Sequence, residues 1–384
     1  RENKETCDAL LERVRARFYD IVQGLSLDFA LDAEFDTIRG ALYGGASEAY
    51  AASRGEYLSA RITAKLLGAM FIDAADLIRF DDAGNYDREA TQKCVRARLP
   101  LLSGRVVIPG FYGATSAGEI KTFTRGGSDI TGAIVARGAS CELYENWTDV
   151  DGFMAVDPHL RGDARVIDML SYRELRELSA MGAAILHPDS IFPLCKSDIP
   201  ICIRNTFNPS AAGTMIVPTA WFSSGAYTRN ACTLAGIAGK RDVSVIRMEK
   251  VAWGVKRGVL RQLLCILGKY GVLPEHLSSS VDAVAAVVDA SALQKERIDE
   301  ALAEIEERLR PRSIALERNL SLIALVGHGI SRDGDIIART TAALSKANIP
   351  IRLIDFGASE LRLTVGVESR DYEQAVGVLY DVLI

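Results

Sequence analysis

A short turn near the middle of the chain combines a cation, two glycines, a hydroxyl and a carboxylate. Residues 125–129 are Arg-Gly-Gly-Ser-Asp, and a segment of small and apolar residues follows over 132–138. Glycines let the main chain approach an anion closely, and the free amides at the start of a following helix would face that anion. Arg125 suits a carboxylate or a phosphate, whereas Asp129 suits a metal or a cationic group. The alternative is an ordinary glycine-rich loop capped by Ser128 or Asp129.

Further motifs surround this turn in a fixed order. Each of them alone is a weak signal, because polar turns and Asp-Gly pairs are common in loops. In chain order they are Ser53-Arg54-Gly55-Glu56, Trp147-Thr148-Asp149, Val156-Asp157-Pro158, Met181-Gly182-Ala183-Ala184, Arg204-Asn205-Thr206-Phe207-Asn208-Pro209 and Gly213-Thr214. Taken together in this spacing, the motifs resemble those of the aspartate kinases of the amino-acid kinase superfamily, over nearly the whole chain from about residue 35.

The resemblance implies a definite reaction. The γ-phosphoryl group of ATP would pass to the β-carboxylate of L-aspartate and give 4-phospho-L-aspartate. A carboxylate is already ionised, so the reaction needs no general base, and catalysis consists of positioning and of neutralising the moving charge. Mg²⁺ would be held mostly by phosphate oxygens and water, so no metal site built from protein ligands is expected.

The same resemblance assigns the substrate-binding residues. Glu56 would bind the α-amino group of aspartate and Arg125 its α-carboxylate, so that the pair clamps both ends of the amino acid. Asp129 would be catalytic, by orienting the phosphate-binding lysine or the magnesium ion. Considered by itself, Glu56 is better explained as a first-turn carboxylate that favours the helix dipole. The remaining residues expected to hold substrate or phosphate oxygens are Gly126, Gly127 and Ser128.

A second set of residues corresponds to the nucleotide-binding loop of the family. The alternative for this segment is a polar turn. The sequence departs from many relatives at Met154, where an aromatic is frequent, at His159, where arginine is frequent, and at Ala184, where lysine is frequent. The positions expected to bind ATP are Thr148, Asp149, Gly152, Phe153, Met154, Asp157, Pro158 and Ala184.

Aspartate kinases begin with a strand that leads into a Lys-Phe-Gly-Gly segment, whose lysine meets the transferring phosphoryl group. This sequence contains no such segment. We therefore expect that about one strand, a glycine loop and a helix of the family lie outside residues 1–384, since a βα unit has this size.

The spacing of apolar residues predicts the elements that position these groups. Residues 1–31 show helical periodicity, and a second helix is expected from Ser53 to Leu67, with Leu58, Ile62 and Leu66 on one face and Glu56 near its positive end. Strand and helix patterns alternate over 106–203, which predicts an α/β sandwich with a mainly parallel central sheet.

Two strands in this region lead into the candidate site. A buried strand is expected over 105–111 and another over 139–146. Ligands of such sheets lie at the carboxyl ends of the strands. The turn at 125–129 and the loop at 148–157 both follow predicted strands, so they are expected to share one crevice.

The C-terminal part of the chain contains an internal repeat over 233–384. The segment ending at 272 aligns with the segment ending at 349, an offset of 77, and each copy has a βαββ pattern. A unit of this size cannot bury both sheet faces alone, so the copies should pair. The pattern resembles tandem ACT domains, each a ferredoxin-like βαββαβ fold. A charged amphipathic helix between the copies, over 294–310, is expected to be solvated on one face.

The expected domains are an amino-acid kinase domain over 1–218, a first ACT domain with a linker helix over 219–310, and a second ACT domain over 311–384. The resemblance implies that lysine, threonine or both bind the ACT domains as feedback effectors. It also implies a homodimer, or a dimer of dimers, formed through these domains. The candidate effector contacts are Lys256, Gly258, Leu260, Glu275 and Ser280.

Composition limits the alternatives. A net charge of −5 argues against a nucleic-acid partner bound to a basic surface. No apolar run is long enough to span a bilayer and no signal peptide opens the chain, so a cytoplasmic location is expected. The seven cysteines are scattered and are expected to be buried, reduced side chains. Two other functions stay open: another amino-acid kinase, acting on glutamate or acetylglutamate, and a catalytically inactive amino-acid sensor.

Overall fold

A computed structural model describes residues 2–101, 103–183, 194–223, 234–250, 258–289, 295–328, 330 and 333–384. The chain divides into two compact units that are not continuous in sequence. The first consists of 1–148, 185–204 and 215–218, and the second of 149–184, 205–214 and 219–384.

The first unit opens with three helices, α1 (Glu2–Gly24), α2 (Asp32–Tyr43) and α3 (Glu48–Leu67). Their apolar faces form one core that includes Phe35 and Leu58. The predicted N-terminal helix is confirmed up to residue 24. The predicted start of the next helix at Ser53 is wrong, because Ser47 caps α3 by accepting a hydrogen bond from the amide of Tyr50. Leu66 was also expected on the buried face, but it is exposed.

Between residues 68 and 138, all of which the structure describes except residue 102, the first unit continues with short strands and two α-helices. Strand β1 (Met70–Phe71) pairs in parallel with β2 (Val106–Val107), and β3 (Tyr112–Ala114) forms an antiparallel pair with β4 (Ile120–Thr122). The helices are α4 (Arg88–Arg98) and α5 (Gly127–Gly138). The buried strand predicted over 105–111 is wrong in extent and burial: β2 has two residues, and both are half-buried.

A further group of strands follows α5. Strand β5 (Tyr144–Thr148) begins later than predicted, because the chain turns after α5 at Ser140, which has a φ of +50°. Strand β6 (Met169–Ser171) lies in the second unit. Strands β7 (Ile201–Asn205) and β8 (Thr214–Val217) continue the group, and β5, β7 and β8 lie side by side in that order.

The second unit begins with the segment that carries β6 and helix α6 (Tyr172–Ala180), followed by the short α7 (Thr219–Ser223). Its main feature is a six-stranded sheet in the order β10-β11-β9-β12-β14-β13. The strands are β9 (Gly236–Glu249), β10 (Pro274–Ser279), β11 (Ala283–Asp289), β12 (Ser313–Val326), β13 (Leu353–Phe356) and β14 (Arg362–Glu368).

The helices of the second unit confirm the predicted repeat. Helix α8 (Val259–Lys269) and helix α10 (Gly334–Lys346) end 77 residues apart, and β9 pairs with β12 so that the two copies form one sheet. Between the copies lies α9 (Lys295–Leu309), and α11 (Tyr372–Leu383) follows β14. Helix α9 is amphipathic as predicted: its inner face packs Ala301 and Ile305 into the core.

The cysteines are less buried than predicted. Cys202 is buried, but Cys265 is exposed because it lies on α8 beside the buried stripe rather than within it, and several others are half-buried. In the described ranges, none of the helices has the length and apolar character that a membrane span requires.

Candidate functional site

The glycine turn leads directly into α5. Gly126 is the residue before the helix and has a φ of +60°, a conformation that glycine adopts without strain. A Cβ placed on Gly127 would lie 2.7 Å from the Cβ of Phe111, so only glycine allows the turn to sit against that residue. The amide of Phe111 donates to Thr131 Oγ1 at 3.1 Å, and the amide of Phe123 donates to the Phe111 carbonyl at 2.9 Å. Phe111 therefore holds the residues on either side of the turn, Phe123 before it and Thr131 after it.

Ser128 and Asp129 occupy the first turn of α5 and do not cap it. The N-terminus of α5 has no side-chain cap among the described residues, so the alternative of a capped loop is wrong. Arg125 and Ser128 are exposed and Asp129 is half-buried. The structure thus brings Arg125, Gly126, Gly127, Ser128 and Asp129 together at a helix N-terminus, where backbone amides attract anions.

Asn146 on β5 holds the Asp129 carboxylate. Its Nδ2 donates to Asp129 Oδ1 at 3.0 Å and lies 3.2 Å from the hydroxyl of Tyr144. Asn146 is buried, and burial raises the pKa of Tyr144, so that phenol stays protonated. A Cβ on Gly132 would lie 2.5 Å from the Tyr144 oxygen. The sequence reasoning missed Asn146, although this residue ends the predicted strand over 139–146, directly before the Trp147-Thr148-Asp149 motif.

Glu56 does not lie where the sequence predicted. It is an exposed residue in the interior of α3 rather than at its positive end, because the helix starts at Glu48. The inward-facing members of its motif are Ser53, which is buried, and Arg54. No contact in the described structure joins Glu56 to the α5 turn, so its role as an aspartate ligand stays a prediction.

The Arg54 side chain lies among three tyrosine rings. Its Cζ is 4.6, 4.7 and 5.3 Å from the ring centroids of Tyr50, Tyr57 and Tyr112. The Tyr112 hydroxyl donates to Asp73 Oδ1 at 2.7 Å, and burial, followed by the charge of Asp73, raises the pKa of Tyr112. Cation–π contacts of this kind fix the guanidinium in place. Arg54 thereby ties α3 to β3, next to Phe111.

The predicted nucleotide loop belongs to the second unit from Asp149 onward and is anchored by Thr214. Thr214 is fully buried; its hydroxyl accepts from the Phe153 amide at 2.7 Å and donates to the Ile167 carbonyl at 2.6 Å. Gly152 has a φ of +147°, and a Cβ there would lie 2.5 Å from Thr214 Oγ1. These contacts explain the Gly-Thr motif at 213–214, to which the sequence analysis gave no role.

A second anchor of this loop comes from the Asn-rich motif at 204–209. Asn205 Nδ2 donates to Asp151 Oδ1 at 2.8 Å, and Asn208 Nδ2 donates to the same oxygen at 3.1 Å. The Oδ1 of Asn205 accepts from the amide of Phe207 at 2.8 Å. Both asparagines therefore position the loop through Asp151. The sequence singled out the motif but not Asp151.

The other predicted nucleotide residues are spread along the loop. Thr148 ends β5, Asp149 is exposed, and Met154 forms a bridge with Val166. The Phe153 ring is buried, and the Phe153 amide is bonded to Thr214. Pro158 is exposed.

Asp157 turns towards its own neighbour. Its Oδ1 accepts from the amide of His159 at 2.9 Å and lies 2.9 Å from Nδ1 of the same imidazole. Ala184 lies outside the described residues, and its role stays a prediction. The expectation that the α5 turn and this loop share one crevice also stays a prediction, since they belong to different compact units.

The predicted effector residues lie on the first ACT copy. Gly258 precedes α8 with a φ of +94°, and Leu260 is exposed. The Glu275 carboxylate pairs with the Lys240 ammonium, and the Ser280 hydroxyl accepts from the Ala283 amide at 3.1 Å. Lys256 lies outside the described residues. Across the part of the chain that the structure covers, histidine, cysteine and acidic side chains do not gather into a group of three that could hold a metal ion.

Comparisons with known proteins agree with this architecture. A model of the "Amino acid kinase family" matches residues 7–205, and a model of the "ACT domain" matches residues 323–383. Aspartokinase 3 of Bacillus subtilis (strain 168) is 34% identical over 283 residues, which are 74% of this chain and 61% of that protein. The chain thus spans less than two thirds of that relative's length.

Solved structures give the same result. The crystal structure of Clostridium acetobutylicum aspartate kinase is 41% identical, with a TM-score of 0.89, and the match covers 98% of this chain and 85% of that one. Aspartokinase III of E. coli, solved in complex with aspartate and ADP in its R-state, is 25% identical, with a TM-score of 0.70, and the match covers 97% and 86% of the two chains.

The kinase fold, the paired ACT copies and the motifs in register agree with one another and with these relatives. The chain belongs to the amino acid kinase family, as one of its aspartate kinases with C-terminal ACT domains.

Proposed function

We propose that this chain transfers the γ-phosphoryl group of ATP to the β-carboxylate of L-aspartate. The observation that carries the proposal is the N-terminus of α5, where Arg125 and the Gly126-Gly127 turn stand beside an Asp129 carboxylate held by Asn146. An anionic amino acid and a phosphoryl group both need such a cluster of donors. The reported complex of the E. coli relative with aspartate and ADP supports the same substrates.

In this proposal the first unit binds the amino acid. The exposed Arg125 guanidinium takes the α-carboxylate, and the amides of the glycine turn hold carboxylate or phosphoryl oxygens. Glu56 is proposed for the α-amino group; as an exposed carboxylate in mid-helix it is free to turn towards a ligand. Asp129, fixed by Asn146, orients a cationic partner of the transferring group. These residues position the reacting atoms and remove the need for solvent to reorganise.

The nucleotide is proposed to bind the loop over 148–157. Thr214 anchors this loop, and Asn205 and Asn208 anchor it through Asp151. The loop brings the backbone at Gly152 and Phe153 into a fixed conformation, which favours binding because little entropy is lost. When bound, Mg²⁺ would neutralise charge on the phosphates, as this ion does in other kinases. Thr148, Asp149, Met154, Asp157, Pro158 and Ala184 remain the proposed neighbours of the nucleotide.

The ACT copies are proposed to carry feedback regulation by lysine, threonine or both, and to form a homodimer. The domain boundaries at 218 and 310 belong to the same proposal. Its support is the single sheet that the two copies form, which gives a regulatory body distinct from the α5 turn. The residues proposed to contact the effector are Lys256, Gly258, Leu260, Glu275 and Ser280.

The test measures ADP release by the full-length product of the gene, with L-aspartate, ATP and Mg²⁺. The variant Arg125→Ala is compared with Arg17→Ala, which removes an exposed arginine of α1 from the same unit. Loss of a charge-assisted interaction of about 1.5–3 kcal/mol should raise the KM for aspartate by roughly 10- to 100-fold in Arg125→Ala alone. Turnover with glutamate or acetylglutamate instead would identify another amino-acid kinase. No turnover with any amino acid, while lysine or threonine still binds, would identify a sensor.

A further inference from the structure

Helix α11 of the second ACT copy contacts a hairpin that carries part of the proposed nucleotide loop. The arms of this hairpin, over 153–155 and 165–167, are joined by backbone hydrogen bonds of 2.9 and 2.7 Å. The hairpin tip, over 156–164, includes Asp157 and Pro158, two of the residues proposed to bind ATP. The hairpin and α11 belong to the same compact unit, so the contacts between them lie within one body of the chain.

Tyr380 of α11 bonds to the backbone of the hairpin. The residue is buried, with 8% of its surface exposed. Its hydroxyl accepts from the amide of Arg165 at 2.9 Å and donates to the carbonyl of Asp163 at 3.3 Å. These two backbone groups lie where the hairpin tip joins the second arm, so a single hydroxyl fixes the path of the chain at that junction.

Arg161 makes a second contact, between the hairpin tip itself and α11. Its Nε and Nη2 donate to the two carboxylate oxygens of Asp163 at 2.8 and 2.9 Å, and Nη2 also lies 2.8 Å from Asp381 Oδ1 of α11. The guanidinium carbon lies 5.1 Å from the centroid of the Tyr380 ring, which is within the range of a cation–π contact. The planar guanidinium thus links a carboxylate of the tip to a carboxylate and an aromatic ring of the helix.

The arms of the hairpin have anchors of their own. The Ala155 carbonyl accepts from the amide of Ile237 on β9 at 2.7 Å, and a Cβ on Gly236 would lie 3.0 Å from the same carbonyl. The Phe153 amide is bonded to Thr214. Loss of the α11 contacts would therefore release the hairpin tip while the arms stay in place.

The hairpin tip buries little apolar surface that could fix its conformation. Within 156–164, a stretch that the structure describes in full, Val156 alone is buried. A segment with few buried contacts opens at a low free energy, because apolar packing contributes little to holding it. The polar contacts from α11 therefore decide how much of the time the tip is held.

We propose that Tyr380 and Arg161 are positioning residues for ATP, through which the second ACT copy holds the hairpin tip in its nucleotide-binding conformation. The inference rests on the proposed nucleotide loop and adds α11, to which the sequence analysis gave no role. Neither side chain needs to touch the nucleotide. The apparent affinity for a ligand falls with the fraction of chains whose site is already formed, so a tip that leaves α11 part of the time binds ATP more weakly.

The proposal separates the two substrates. Aspartate is proposed to bind at the α5 turn, which belongs to the first compact unit, whereas the hairpin and α11 belong to the second. Release of the hairpin tip should therefore weaken the binding of ATP and leave the binding of aspartate unchanged. A purely structural contact would instead affect both substrates together, because loss of folded protein removes both sites.

The test measures both substrates with the full-length gene product. Titration calorimetry with ATP and Mg²⁺, in the absence of aspartate, gives the Kd for the nucleotide, and ADP release gives kcat and the KM of each substrate. Tyr380→Phe keeps the ring and removes the hydroxyl, whereas the control Tyr270→Phe removes a hydroxyl that bonds to Glu304 of α9 at 2.7 Å in the same unit. We expect the Kd and KM for ATP to rise roughly three- to tenfold in Tyr380→Phe alone, with kcat and the KM for aspartate unchanged.

Asp381→Asn provides a second variant if Tyr380→Phe does not fold. It breaks only the α11 side of the Arg161 contact and should raise the Kd for ATP about two- to fourfold, whereas Asp381→Glu keeps the charge and should stay near the parent value. The matched control is Glu373→Gln, which removes another ion pair of α11, at 2.8 Å from Arg241, and should leave the Kd unchanged.

The inference is overturned if Tyr380→Phe and Asp381→Asn bind ATP as tightly as the parent protein does. It is also overturned if ATP and aspartate lose affinity equally, since the role of these residues would then be structural. A parent protein that binds no ATP would instead contradict the proposed function, on which the inference depends.

Discussion

We expect substitution of Glu174 to destabilise the second unit more than substitution of any other acidic residue in it. It is fully buried at the start of α6. One of its oxygens, Oε2, accepts from the Ser171 amide at 2.8 Å and from the Ser171 hydroxyl at 3.0 Å, and the other, Oε1, accepts from the His328 amide at 3.0 Å. The carboxylate therefore closes the capping box of α6 and also binds the loop after β12.

The variant Glu174→Gln removes one of these two acceptor oxygens and keeps the volume of the side chain. Its carboxamide has a single acceptor oxygen, so the amide of either Ser171 or His328 faces an NH₂ group. A hydrogen bond to a charged group contributes about 1.5–3 kcal/mol, and an unpaired buried donor adds a further cost of about 1 kcal/mol or more. We expect a loss of roughly 3 kcal/mol. Glu177→Gln is the matched control on the same helix. The Glu177 carboxylate forms a partly exposed ion pair with Arg362, which contributes less than about 1 kcal/mol.

Amide hydrogen exchange is the appropriate assay, because a chain of two compact units need not unfold in one step. Peptides covering 171–178 and the His328 amide should exchange faster in Glu174→Gln by about two orders of magnitude, which corresponds to ~3 kcal/mol. Peptides of the first unit serve as the internal reference. Equal exchange in Glu174→Gln and Glu177→Gln would refute the reasoning, since the buried contacts of Glu174 would then contribute no more than a partly exposed ion pair.

Three further predictions concern other parts of the chain. Asn146→Leu should lower kcat about 10- to 100-fold, because the Asp129 carboxylate loses its donor, as steady-state kinetics would show. Gly152→Ala should raise the KM for ATP and lower Tm, because the backbone there has a φ of +147° and the added Cβ has no room. A hydrogen bond from Lys269 holds the pKa of Glu304 below its usual 4.5, so this stabilisation is present above pH 4.5 and lost as pH falls through the lower folded-state value. Glu304→Gln should therefore destabilise the protein at neutral pH and flatten its acid unfolding curve.

Each of these has a control and an outcome that would contradict it. Asn85→Leu in an exposed loop should leave kcat unchanged, and an equal loss there would remove the role of Asn146. Gly104 also has a positive φ, +86°, but open space surrounds it. If Gly104→Ala lowers Tm as much as Gly152→Ala does, the steric explanation for Gly152 is excluded. Glu307→Gln on the exposed side of α9 should keep the parent acid curve; if Glu304→Gln keeps it too, the pairing with Lys269 is irrelevant.

The periodicity of the sequence predicted the elements better than it predicted their ends. The repeat offset of 77 is confirmed by α8 and α10, because both helices bury the same stripe against one sheet. The start of α3 was placed too late, since Ser47 is a cap that lies ahead of the apolar stripe. The strand at β5 was started too early, because small residues after α5 fit a strand pattern although the chain turns at Ser140.

The candidate site could be predicted as far as local chemistry determines it. The glycine turn before α5 was recognisable because glycines, a cation and a carboxylate stand within five residues. Asn146, Asp151 and Thr214 could not be assigned from spacing, because their partners Asp129, Asn205 and Phe153 lie 17, 54 and 61 positions away in the chain. The predicted position of Glu56 in the first turn of its helix is wrong, because Ser47 caps α3 ahead of the apolar stripe. Its role as an aspartate ligand came from the family resemblance and stays a prediction.

The most direct test of the central claim is to trap the acyl phosphate. The full-length gene product is incubated with L-aspartate, ATP, Mg²⁺ and hydroxylamine, which converts an acyl phosphate to a hydroxamate. We predict aspartyl β-hydroxamate, formed in proportion to ADP, absent without aspartate and strongly reduced in Arg125→Ala. Hydroxamate formed from glutamate or acetylglutamate instead, or none from a protein that is folded and binds ATP, would contradict the assignment of this chain as an aspartate-phosphorylating kinase.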